Sequence, residues 1–179
     1  AFLACQKTVN KLLGVQDHSA NTETEFLQID FGEISVRKLP VDDAMFSVLE
    51  TRLKEAAIAL KAGASLSVIF LCGSILEGAL LGLALKNPRL FNEAAGAPKD
   101  KEGKVKSFPE WTLSNLINVA CDLNLLKVDI KKFSHVVRDF RNYIHPYMQM
   151  ASGFSPDQHT ANICMQVLKA AIAELSGNR

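Results

Sequence analysis

The sequence predicts an all-α fold, a bundle of four to five helices with a possible small β-hairpin ahead of it. Three observations point there. Ala and Leu abound while aromatic residues make up only 7% of the 179 residues, a mixture that favours helix over sheet. Apolar residues recur at three- and four-residue intervals in several separate stretches from residue 45 onward. Helix caps and breakers (Pro, Asp, Asn, Gly) punctuate those stretches.

The length is that of one domain, large enough to bury about 70% of its unfolded surface without a metal or disulfide. A hydrophobic share of 48% with 22% charged residues excludes a disordered or collagen-like chain. Twenty basic against nineteen acidic residues leave a net charge of +1. No global field draws nucleic acid or a membrane surface, so a polyanion site must be a local patch. Cys5, Cys72, Cys121 and Cys164 lie far apart in apolar segments with no paired histidines. They read as core hydrophobes of a cytoplasmic protein rather than metal ligands. The opening Ala1-Phe2-Leu3-Ala4-Cys5 is too short for a signal peptide, and Lys7 follows it.

The expected organisation is an N-terminal appendage over residues 1–39 and a helical bundle over 40–179. Residues 1–13 read as a helix end, and 14–25 as a polar turn. Phe26 to Leu39 alternates in two runs about Gly32, the hairpin signal. Pro40 opens a helix with Asp42 and Asp43 in its first turn and Met45, Val48, Leu49, Leu53, Ala56 and Leu60 in register, ending at Gly63. Ala64 to Leu85 carries one charge, Glu77. Its length suits a membrane span, and Gly78-x-x-x-Gly82 a close helix contact. The preferred reading is a central helix buried on all sides, because Glu77 sits mid-segment and no aromatic belt flanks the ends. Gly73, Gly78 and Gly82 would admit a neighbour closely.

Asn87-Pro88 stops that helix, and 89–108 reads as a solvated loop with a mild basic excess, a phosphate-contacting loop being the sharper alternative. Pro109 and Glu110 introduce a helix through Leu113, Leu116, Ile117, Ala120 and Leu123 that Asn124 breaks, with Trp111 as its anchor. Asp129 is expected to cap the next helix, striped by Ile130, Phe133, Val137, Phe140 and Ile144 and ended by Pro146. A short loop then leads to a capping box, Ser155-Pro156-Asp157-Gln158, and a last helix from Ile163 to Leu175 closed by Gly177.

One helix face carries chemistry. At 100° per residue, Ser134, Arg138, Arg141, Asn142 and His145 fall within about 100° of one another, beside the apolar stripe. Two adjacent guanidiniums repel unless an anion or a carboxylate neutralises them. An imidazole serves as acid or base near neutral pH, and guanidinium forks match phosphate oxygens. The blander alternative pairs the arginines with Asp139, Glu77 or Asp157 and leaves His145 on a helix C-terminus. No Gly-x-Gly-x-x-Gly, Gly-Lys-Ser/Thr or Gly-x-Ser-x-Gly motif occurs, so no cofactor is expected. No metal site is expected either, since His18 and His159 lack companions and His135 lies about 80° round the helix from His145.

Trp111-Thr-Leu-Ser-Asn-Leu-Ile-Asn-Val-Ala and Phe133-Ser-His-Val-Val-Arg138-Asp-Phe-Arg141-Asn142-Tyr-Ile-His145-Pro146 resemble bacterial and archaeal HEPN-like domains. Cys72-Gly-Ser-Ile-Leu-Glu77 does so too. The likeness spans roughly residues 45–176, and its specific core is short. It implies an α-helical bundle that homodimerises and, in many members, a metal-independent endoribonuclease. The signature is an Arg followed by a polar residue, with a His four to six residues on. Arg138 with Asp139 meets it at its long limit; Arg141 with Asn142 has the polar neighbour but only three residues before His145. The resemblance makes Arg138, Arg141 and His145 catalytic candidates, with Glu77 and Asn142 supporting them and Lys131 and Lys132 contacting RNA. Implied partners are an RNA substrate and a cognate antitoxin or nucleotidyltransferase, in defence, toxin–antitoxin or stress systems, with no membrane. The alternative is a non-catalytic helical dimerisation or protein-interaction module.

Overall fold

The computed structural model describes residues 35–141, 143, 145–153 and 155–177. The segment 1–34, with most of the expected hairpin, lies outside them. Where its second strand would end, Val36–Lys38 form a 3-10 turn capped by the Ser35 hydroxyl. Val36 and Leu39 are both buried. Their spacing of three fits a 3-10 turn rather than the period of two that the alternation suggests. Among the described residues no strand forms, and one isolated antiparallel bridge joins Lys99 to Val105. The all-α bundle is what the composition and periodicity predict.

Helix α1 (Asp43–Lys61) starts three residues later than Pro40 suggests. Asp42 holds an extended backbone, and its carboxylate accepts the Met45 N–H at 2.7 Å, a cap no proline supplies. Leu49 and Ala56 are buried and Val48 is exposed. Gly63, at φ 71°, turns the chain into α2 (Ser65–Lys86).

Helix α2 is the axis of the fold. Val68, Ile69, Cys72, Ile75, Leu76, Ala79, Leu80 and Leu83 are all buried and fall within about 140° of its circumference, while Phe70, Ser74 and Leu81 on the opposite side are half-buried. Among the described residues it is the one helix long and apolar enough to cross a membrane, and 61% of its most apolar window is buried inside the bundle. A Cβ added at Gly78 would lie 2.8 Å from Leu49 Cδ2, and one at Gly82 would lie 2.5 Å from Val41 Cγ1. These glycines therefore do admit a close neighbour, α1 and the residue leading into it.

Asn87 ends α2, but Pro88 at once begins a five-residue helix, α3 (Pro88–Asn92). A proline that stops one helix is preorganised for the first turn of the next. Phe91 is thereby fully buried, edge-on to Phe108 and 6.4 Å from the Trp111 ring. The 89–108 stretch is thus built on an aromatic anchor that the absence of periodicity conceals. After a 3-10 turn at Phe108–Glu110 comes α4 (Leu113–Asp122). Trp111 is buried and donates its indole N–H to the Lys106 carbonyl at 2.9 Å, the anchoring role expected of it. Asn124, at φ 57°, turns the chain after α4, as expected.

Helix α5 (Val128–Arg141) begins before Asp129. That carboxylate accepts the Ile130 N–H within the first turn, so it is not the cap expected. The helix also ends before Pro146. A proline excludes helical backbone at the residue before it, and His145 is accordingly extended (φ −86°, ψ 112°) at the head of α6 (Pro146–Ser152). A helix thus fills most of the expected loop. In α7 (Gln158–Leu175) the cap is Asp157 rather than Ser155, accepting from the Thr160 N–H and hydroxyl, both at 2.9 Å. Gln158 instead donates to the Leu60 carbonyl at 3.0 Å and ties α7 to the end of α1. Gly177, at φ 72°, follows its last turn. Helices α1, α4, α5 and α7 all pack on α2.

Candidate functional site

The last turn of α5 meets the middle of α2 and the first turn of α4. Arg141 lays its aliphatic stem across Gly73, where a Cβ would come within 3.0 Å of its Cδ. One helical turn on, its Nη1 donates to Glu77 Oε2 at 2.8 Å, with the two side chains 37% and 31% exposed. The spacing Gly73-x-x-x-Glu77 is therefore a notch followed by a counter-charge on one face of α2. Arg138, one turn back along α5, donates from Nη1 to the Ser114 hydroxyl at 2.9 Å. It also forks onto the Asp139 carboxylate through Nε and Nη2. Both arginines thus hold the carboxylates that the blander sequence reading assigned to them.

His145 completes the group. It is not on the α5 face, because the helix stops at Arg141, yet the break brings its exposed ring to the same place. Arg138, Arg141, His145, Glu77, Thr112, Leu113 and Ser114 line one cavity of about 340 Å3. Among the described residues the His145 ring makes no hydrogen bond. Thr112 caps α4 reciprocally with Asn115, its hydroxyl accepting the Asn115 N–H at 3.2 Å while the Asn115 amide oxygen accepts the Thr112 N–H at 3.0 Å. That cap fixes the start of α4 at the cavity wall, with the positive end of its dipole and its unpaired leading N–H groups on that side.

The charges decide what the cavity can take. Two guanidiniums face two carboxylates, so the site is balanced until something displaces one of them. Asp139 is 60% exposed and adjacent in sequence, and such surface pairs contribute about 0–1 kcal/mol. Glu77 is half-buried and held against a fixed stem. The Arg138 fork is therefore the one a phosphate can claim from its present partner, while Arg141 stays with Glu77. Among the described residues no cluster of His, Cys, Asp and Glu could hold a metal ion.

The other sequence candidates fall elsewhere. Asn142 lies outside the described residues. Ser134 is fully buried with its hydroxyl unpartnered among the described residues, so it faces the core and not the cavity. Lys131 and Lys132 sit two turns before Arg138 and line no wall of the cavity, Lys131 half-buried and Lys132 exposed. Between Lys131 and Arg138, His135 has its Nε2 3.1 Å from Asn118 Oδ1. Burial, then the Arg138 and Lys131 charges, hold its imidazole below the ordinary value of 6.5. Sequence reasoning missed Thr112, Leu113 and Ser114. Two hydroxyls at the start of a helix, Thr112 at its cap and Ser114 in its first turn, were the available signal, but only tertiary packing brings Ser114 to Arg138. The chain matches no protein-family model, no curated protein and no solved structure.

Proposed function

We propose that the chain is a HEPN-like metal-independent endoribonuclease, working as a cytoplasmic homodimer in a defence, toxin–antitoxin or stress system. The observation that carries this reading is the convergence of an exposed, unengaged imidazole with two guanidiniums on one cavity. Those donors suit a phosphodiester, and the nearest carboxylates are committed to the arginines. His145 takes the proton of the RNA 2′-hydroxyl as that oxygen attacks phosphorus, and returns it to the 5′-oxygen as the P–O5′ bond breaks. Arg138 turns from Asp139 to the phosphate and neutralises charge on the pentavalent phosphorus. Arg141, fixed by Gly73 and Glu77, keeps the field positive beside it. A strand lacking the 2′-hydroxyl at the cleaved position stays intact.

A second reading, the non-catalytic interaction module, draws on the same pairings and on α6. Tyr147 and Met150 are each 71% exposed there, a surface on which a protein such as an antitoxin or nucleotidyltransferase could dock. Incubation of the protein with mixed single-stranded RNA in EDTA divides the two. Cleavage that survives EDTA and is lost in both His145→Ala and Arg138→Ala establishes the nuclease; no cleavage by the folded dimer moves the weight to the module.

A further inference from the structure

We propose that the 99–108 segment is a second nucleic-acid site, the continuation of the single-stranded RNA path beyond the Arg138 cavity. This rests on the ribonuclease reading and extends it to a surface outside the reacting group. A second and larger cavity, about 680 Å3, is lined by Asn92, Lys104, Lys106, Phe108 and Glu110 among others. Glu110 is in its wall and Thr112 is in the wall of the first. Two residues of chain reach at most about 7 Å, so the turn that starts α4 contributes a wall residue to each cavity within that distance.

The segment is built rather than slack. Lys99 bridges Val105, Asp100 accepts the N–H groups of Glu102 and Lys104 at 2.9 Å each, and Lys106 donates its N–H to the Pro98 carbonyl at 2.9 Å. Gly103, at φ 82°, makes the turn. Glu110 accepts from the Ser107 N–H and hydroxyl, at 3.1 and 2.6 Å. These bonds fix the carboxylates of Asp100 and Glu110 in the cavity wall, still charged, against four lysines between residues 99 and 106. Among the described residues Lys99, Lys101, Lys104 and Lys106 form no ion pair. Phe108 is half-buried, held 5.2 Å from the Trp111 ring, and forms part of the cavity wall. Unpaired lysines beside a fixed aromatic ring are what a single strand needs, ammonium groups for its phosphates and a ring for a base.

The test compares Lys104→Gln/Lys106→Gln with wild type and with Lys54→Gln/Lys61→Gln, which removes the same charge from α1. Fluorescence anisotropy follows a labelled RNA of about ten nucleotides, within the range one single-strand site covers, across a salt series. Cleavage of a dinucleotide, which reaches only the first cavity, is followed in parallel. The inference expects the 104/106 variant to bind the longer RNA about tenfold more weakly at low salt, with a salt slope lower by about 1.4 for two lost phosphate contacts. The dinucleotide is cleaved as before, and the α1 control matches wild type. If wild type cleaves RNA but the 104/106 variant keeps the wild-type affinity and slope, this inference fails and the nuclease reading stands. If wild type neither binds nor cleaves RNA, both fail, and the segment is a structural loop or a protein contact.

Discussion

Replacing Gly82 with Ala tests the packing of the bundle where it is tightest. The added methyl would meet Val41 Cγ1 at 2.5 Å and Val41 Cβ at 3.1 Å, closer than carbon atoms approach without displacement. Overpacking of this kind costs about 1–3 kcal/mol. Against it stands the gain of about 1 kcal/mol from replacing Gly with Ala inside a helix. The net expectation for Gly82→Ala alone is a loss of about 1 kcal/mol. Val41→Ala removes the methyl at 2.5 Å and leaves a contact that a small shift relieves. By itself it loses about 1 kcal/mol of half-buried apolar surface. In that background Gly82→Ala should change sign and stabilise by about 0.5–1 kcal/mol, a coupling of about 2 kcal/mol in the double-mutant cycle. Urea denaturation followed by far-UV circular dichroism, with a common m value, reads all four proteins. Stabilisation by Gly82→Ala in the wild-type background would refute the reasoning, as would additive effects, because either means that α1 and α2 do not approach through that glycine.

Three further outcomes are expected. Glu77→Ala should lose about 1 kcal/mol, the loss shrinking in molar salt, because the pair with Arg141 is about a third exposed and partly screened; urea midpoints at low and high salt check it. His135 is held below its ordinary 6.5, so the unfolded chain binds that proton more readily than the folded one. Its contribution to stability is complete above pH 6.5 and drains as the pH falls, so His135→Gln should flatten the fall of the urea midpoint below pH 6.5. Burial pushes the Cys72 thiol far up, with Cys164 beside it, and the Cys164 thiol to about 12. Maleimide labelling read by mass should therefore modify half-buried Cys121 before either, and reach those two only on unfolding.

The long helices were legible because burial imposes a period on them. α2 could be read almost to the residue, since an apolar run bounded by Gly63 and Asn87-Pro88 leaves one solution. The short elements were not. Pro88 and Pro146 are equally stops and starts, and only Phe91 filling the gap beside Trp111 selects the start at Pro88. Competing caps, Ser155 against Asp157, differ by about 1 kcal/mol or less, which the tie from Gln158 to Leu60 settles through a residue distant in sequence. In the site, Arg138, Arg141, His145 and Glu77 were found because charge and imidazole on a helix beside the core are conspicuous. His145 was found by an argument that fails in detail, since it is not on that helix. Ser134 shared the computed face but turns inward, and Ser114 could not be connected to Arg138 from a pattern local to either.

A helix that every long neighbour leans on also sets a hazard of timing. α1 is made before α2, while α7, which also packs on it, is made more than 70 residues after α2 is complete. Until then the nascent chain presents a 22-residue apolar segment, of mean hydropathy 2.2 over its most apolar stretch, with Glu77 as its one acidic residue. To the machinery that sorts membrane proteins that segment is a plausible client. α7 thus does more than pack on the bundle: its arrival ends the interval in which this apolar segment could be delivered to a bilayer or to an aggregate.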